Sequence, residues 1–173
     1  MLPSKRVLFS SKKLYINCTR VVRPHRAQLI EELINNNLFD LGYNTISDKG
    51  GELTNYLNKT TTSKIPDPIK QCEKSFVYIA TETLVDNNRL FFSEKVYKPI
   101  AIGMPFMVLG NPGTLKSLKQ MGYKTFDKWF NEDYDNDINL ADRIKIITDN
   151  LNYYRNFTKR ELDVIRFEMK AVT

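Results

Sequence analysis

The segment Thr19-Arg20-Val21-Val22-Arg23-Pro24-His25-Arg26 places three arginines and the chain's only histidine directly before a run with helical spacing. A helix N-terminus attracts anions through its free amides and its macrodipole, and arginine adds a planar fork suited to phosphate. One of these guanidinium groups facing a pyrophosphate is the chemical reading. Solvent exposure, or pairing with Glu31 and Glu32, accounts for the same arginines equally well. His25 has no carboxylate or nucleophile tied to it by spacing, which leaves a general-base role unsupported. A second group follows the apolar run Phe76–Ala80: Glu82 and Thr83 first, then Phe91, Phe92 and the pair Glu94-Lys95. At a helix start, such a carboxylate accepts ribose hydroxyls while the neighbouring ammonium neutralises phosphate. Glu-Lys is also a common surface pair, and Phe91 and Phe92 read as core unless one of them stacks on a base.

Other chemistries find less support. The acidic run Asp133-Tyr134-Asp135-Asn136-Asp137 has clustered oxygens but lacks the glycine and terminal glutamate of an EF-hand loop, and it reads as a solvated loop. A single histidine, with Cys18 and Cys72 far apart in sequence, excludes a multi-histidine metal site and a zinc-knuckle spacing. The two cysteines exclude a disulfide framework and read as reduced thiols of a cytoplasmic protein. P-loop, G-x-G-x-x-G, G-x-S-x-G and H-E-x-x-H motifs are absent.

These residues sit in a chain of 173 residues with 26 Lys+Arg against 20 Asp+Glu, a net charge of +6. The excess favours anionic partners, although a solvated basic surface explains it too. Basic residues do not interleave with aromatics in an RNP-like pattern, so nucleic acid gains no motif support. No stretch approaches the ~20 apolar residues of a membrane span, and the basic N-terminus lacks the apolar core of a secretion signal.

The elements that must position the candidates alternate. Leu14–Cys18 reads as a buried strand, and Leu29, Ile30, Leu33 and Ile34 as one helix face. Residues 44–70 are polar and loop-rich, with room for a short helix at Glu52–Leu57. Phe76–Ala80 is a second strand. A helix opens at Ser93-Glu94, with Pro99 expected to kink or shorten it. Pro105–Leu109 is a third strand, followed by a turn, and Thr114 is the expected N-cap of a helix stopped by Gly122. Helices at about 140–155 and 158–170 complete a single domain over 1–173. The alternation predicts an α/β fold with a mainly parallel sheet, and ligands there sit beyond the carboxyl ends of strands, in the loops after residues 18, 80 and 109.

The order of these pieces resembles the nucleotide-binding half of the family 10 glycosyltransferases, the α-1,3-fucosyltransferases. Asn17-Cys18, Arg26, Leu33, Asp40 and Gly42 fall in that family's order. FVYIATETLVDNNRLFFSEKVYKPIAIGMPFMVLG resembles its Phe-Glu-Asn, Thr-Glu-Lys and Pro-Val signatures, with Ser93-Glu94-Lys95 in place of Thr-Glu-Lys. The resemblance covers roughly residues 14–113, and similar short chains look like those of phages and large viruses. It implies a Rossmann-like three-layer domain, the C-terminal half of a GT-B enzyme. The implied donor is a nucleotide sugar, GDP-linked as is usual in that family, with no metal or other cofactor. Arg26 and Lys95 would neutralise its diphosphate, Glu94 would hold the ribose, Phe91 would stack on the base, and Glu82 would lie near the sugar. Thr83 replaces the family's asparagine. The family's acceptor-binding domain, which carries the general base, has no counterpart in this sequence. A glycan or protein acceptor would then need a second chain or a homo-oligomer partner, in host cytoplasm or a virion. The alternative implied by the missing half is a non-catalytic binding or structural module on the same fold.

Overall fold

The computed structural model describes residues 12–19, 21–45, 68–85 and 89–171. The expected helix at Glu52–Leu57, Arg20 and Asp86–Asn88 lie outside them. Four parallel strands form the sheet: β1 (Lys13–Cys18), β2 (Gly42–Thr45), β3 (Ser75–Thr81) and β4 (Phe106–Leu109), in the order β2-β1-β3-β4. Helices flank it: α1 (Pro24–Asn35), α2 (Pro68–Glu73), α3 (Glu94–Ala101), α4 (Thr114–Gln120), α5 (Leu140–Tyr154) and α6 (Lys159–Lys170). This is a Rossmann-like three-layer α/β fold. β3 is buried along its whole length, as a continuous apolar strand of a covered parallel sheet should be.

Three local expectations change. The segment after Gly42 is not simply loop: Gly-Tyr-Asn-Thr forms edge strand β2, half-buried throughout, with Cys18 in register with Thr45. Residues 68–70, the end of the segment read as loop-rich, open the short helix α2. Thr114 is the first residue of α4 rather than its cap. Gly113 takes the cap position at φ 81°, a left-handed conformation that glycine adopts without steric cost. Pro99 is buried inside α3, which continues to Ala101.

Gly42 is required for space. A Cβ there would overlap the ring atoms of Tyr15, a fully buried core side chain. Gly42→Ala is therefore expected to destabilise the fold by about 1–3 kcal/mol, measured by denaturant unfolding, because the rigid ring must leave its place.

Candidate functional site

The order β2-β1-β3-β4 means that the chain leaves β1 in one direction and β3 in the other. The crevice between their carboxyl ends is thus the topological switch point, where doubly wound sheets take ligands. Two threonines close it. Thr19 Oγ1 donates its single hydrogen to Asn17 Oδ1 (2.9 Å), so the 2.8 Å contact between Thr19 Oγ1 and Thr81 Oγ1 has Thr81 as donor.

Helix α1 starts on Pro24, whose missing N–H costs nothing at that position, and delivers His25 and Arg26 into the same crevice. His25 Nε2 lies 2.9 Å from the carbonyl of Glu82, and an acceptor partner requires Nε2 to carry the proton. Arg26 is only 4% exposed. Its Nη1 donates to the carbonyl of Val21 (2.8 Å), and its Nη2 to those of Thr81 (2.9 Å) and Glu82 (3.1 Å). Arg26, expected to face a diphosphate, thus has its terminal nitrogens on main-chain carbonyls. Its Nε–H has no partner among the described residues. Burial lowers its pKa, the nearby Arg23 lowers it further, and Glu82 and Glu94 oppose both.

Glu82 is fully buried. Its Oε1 accepts from the Ser93 backbone N–H (3.0 Å) and its Oε2 from the Ser93 hydroxyl (2.5 Å). Ser93 is the N-cap of α3, and its Oγ accepts in turn from Lys95 N (3.2 Å) and Lys95 Nζ (3.3 Å). The Lys95 ammonium also pairs with Glu94 Oε1 at 2.9 Å, and this contact holds the Glu94 carboxyl below its usual range. Glu94 is mostly exposed and Lys95 partly so. Glu82, Glu94 and Lys95 therefore belong to one chain of contacts at the start of α3, anchored from behind by His25 and Arg26. Thr83 is half-buried just after Glu82. Phe91 is 41% exposed, while Phe92 packs against the core.

The loop between β3 and α3 borders a cleft of about 660 Å³ lined by Val85, Leu90, Pro112, Gly113, Lys116 and Arg143, with further residues of the 135–140 segment. Arg143 is the residue that sequence reasoning missed. Buried on α5, it donates from Nε to the carbonyl of Tyr134 (2.6 Å), from Nη1 to Val85 (3.1 Å) and from Nη2 to Gly110 (2.6 Å). It ties together the loops after β3 and β4 and the acidic turn. The available signal was its position, since Arg143 interrupts the apolar stripe of Leu140, Ile144, Ile147 and Leu151. Asn111, which donates to the carbonyl of Arg89, is a second unpredicted tie to the same loop.

The acidic run is not merely a solvated loop. Tyr134 is fully buried, and Asp135 accepts from Leu115 N (2.9 Å) and Lys116 N (3.0 Å), capping α4 from a distance. A hollow of similar size, about 680 Å³, lies beside that turn, but its charges answer one another: Lys119 pairs with Asp127 at 2.8 Å and Glu132 at 3.0 Å. Of the two, the cleft beyond β3 and β4 is the better ligand candidate; Arg26, Glu82, Thr83, Phe91, Glu94 and Lys95 lie outside its lining. Among the described residues, no three His, Cys, Asp or Glu side chains are grouped to hold a metal ion, and no helix is long and apolar enough to cross a membrane. No model of a known protein family matches the chain, and no curated protein matches it.

Proposed function

We propose that this domain binds a nucleotide sugar, of the GDP-fucose type, at the carboxyl edge of its sheet, as the resemblance to family 10 glycosyltransferases suggests. The observation that carries this reading is the Glu82–Ser93–Lys95 chain of contacts. It fixes an ammonium and a carboxylate at the start of α3, beside the loop that carries Phe91. Lys95 and the first amides of α3 would meet the diphosphate, Glu94 the ribose hydroxyls, Phe91 the base and Thr83 a polar edge of the ligand. Arg26 and Glu82 act from behind these groups as positioning residues. In transfer, the acceptor oxygen bonds to the anomeric carbon as that carbon's bond to the diphosphate breaks, and Lys95 stabilises the departing charge. The acceptor hydroxyl loses its proton to a base on the acceptor side, supplied from outside this domain.

Calorimetric titration with GDP, UDP and CDP tests the reading. GDP is expected to bind most tightly, Lys95→Ala to weaken it at least tenfold and Glu94→Gln to weaken it several-fold. The absence of binding by all three nucleotides would overturn it. One observation favours a second reading, a binding module without catalysis: both oxygens of the buried Glu82 carboxylate are occupied by Ser93. Transfer or hydrolysis of a GDP-sugar that depends on Lys95 would exclude that reading.

A further inference from the structure

Away from the carboxyl edge, a hollow of about 340 Å³ is lined by Trp129, Asn131, Ile146, Asp149, Asn150 and Tyr153. Its size lies at the lower end of the range of small-ligand sites, roughly 300–1,000 Å³. Two aromatic side chains bound it, and both are held. Trp129 is half-buried against Phe126, and its carbonyl accepts from the Tyr154 hydroxyl at 2.8 Å. Tyr153 is 65% exposed, yet its ring packs on Tyr154 and Phe157. Asn150 fixes the backbone of Asn131 at both ends, accepting from its N–H (2.9 Å) and donating to its carbonyl (2.9 Å).

The polar groups decide the ligand class. Aromatic walls beside a carboxylate suit two kinds of guest: a quaternary ammonium, or a neutral ring with C–H bonds on one face and hydroxyls round its edge. Both attractions for a cation are already spent. Asp149 pairs with Lys145 at 2.5 Å, and the Lys128 ammonium lies over the Trp129 ring at 5.0 Å. By contrast, no hydrogen bond among the described residues uses the indole N–H of Trp129 or the hydroxyl of the exposed Tyr153. We propose that the hollow between Trp129 and Tyr153 is a binding subsite for a neutral pyranose ring. Its C–H face packs on the exposed Tyr153 ring, and its hydroxyls bond to the indole N–H, the phenol and Asp149 Oδ1, the carboxylate oxygen that Lys145 leaves open. The subsite stands apart from nucleotide binding at the carboxyl edge and does not depend on it.

Trp129 is the chain's only tryptophan, so its fluorescence reports on this hollow alone. The whole chain is titrated with the methyl glycosides of glucose, galactose, mannose and fucose, and separately with choline chloride. A saturable change with at least one glycoside is expected. Tyr153→Ala should weaken that binding at least tenfold and Asp149→Ala several-fold, while Met121→Ser, an exposed change outside the hollow, leaves it unchanged. GDP binding by calorimetry should persist in Tyr153→Ala, so the two sites stand or fail separately. No response to any glycoside, a response unaltered in both Tyr153→Ala and Asp149→Ala, or saturation by choline alone would each overturn the proposal.

Discussion

Arg143→Met is expected to destabilise the protein by about 3–5 kcal/mol, the range seen when one partner of a buried charged network is removed. The side chain is 2% exposed, and its three nitrogens serve the carbonyls of Tyr134, Val85 and Gly110. Methionine fills much of the volume but donates to none of them. Losing the buried charge recovers some desolvation, which burial already signals by lowering the Arg143 pKa. Three unpaired carbonyls outweigh that gain, since each buried orphan costs about 1–3 kcal/mol. The melting temperature should fall on the order of 10 °C for a chain of this size. Arg143→Lys should recover only part of the loss, because an ammonium cannot reproduce a planar fork aimed at three separate loops. Release of Val85 also loosens the loop that carries Phe91, so nucleotide affinity should drop in Arg143→Lys even where the protein stays folded. Unchanged unfolding of Arg143→Met would show that the three contacts contribute little.

The sequence made the central strands and the long helices readable because their burial is written in composition. β3 is a covered apolar run, and α5 and α6 show clear periodicity and caps, with Thr158 and Glu161 forming a capping box. β2 was hidden for the opposite reason. An edge strand of four half-buried residues needs no apolar run, and its register comes from β1 rather than from its own side chains. The cap of α4 was misread because the anion that satisfies its amides, Asp135, is supplied by a turn on the far side of Phe126 and Phe130 in sequence. Local patterns do not reveal such a long-range cap.

At the candidate site, residue types were legible and their duties less so. Glu82, Glu94 and Lys95 were singled out, and they do converge at one helix start. Arginine before a helix was read as an anion site, yet Arg26 lies on the buried stripe with Leu29, Ile30 and Leu33. A charged residue at core spacing is placed where main-chain carbonyls at strand ends need donors, and both Arg26 and Arg143 follow that rule. The stripe position was the discriminating signal. Charge type alone was not.

Glu82→Ala should act on both stability and binding, and the two effects are separable. The substitution removes both acceptors of Ser93, leaving its N–H and hydroxyl at a buried helix start, and strips Arg26 of a nearby opposite charge. A loss of about 2–4 kcal/mol in denaturant unfolding is expected from the orphaned donors and the space left behind. Glu82→Gln keeps the shape and one acceptor but sets an amide donor toward Ser93, so it should lose about 1–2 kcal/mol. If Ser93 is the route by which Glu82 acts, Ser93→Ala and Glu82→Gln should be non-additive, with a coupling of about 1–3 kcal/mol in a double-mutant cycle. Nucleotide affinity should fall in both single variants: Ser93→Ala removes the hydroxyl that helps to place the Lys95 ammonium, and Glu82→Gln removes the acceptor that holds that hydroxyl. A direct ligand contact by Glu82 predicts a different pattern: Glu82→Gln would lose affinity at unchanged stability, and Ser93→Ala would leave affinity intact. Measured together, unfolding and titration of the three variants decide whether the buried carboxylate touches the ligand or builds the helix start that does.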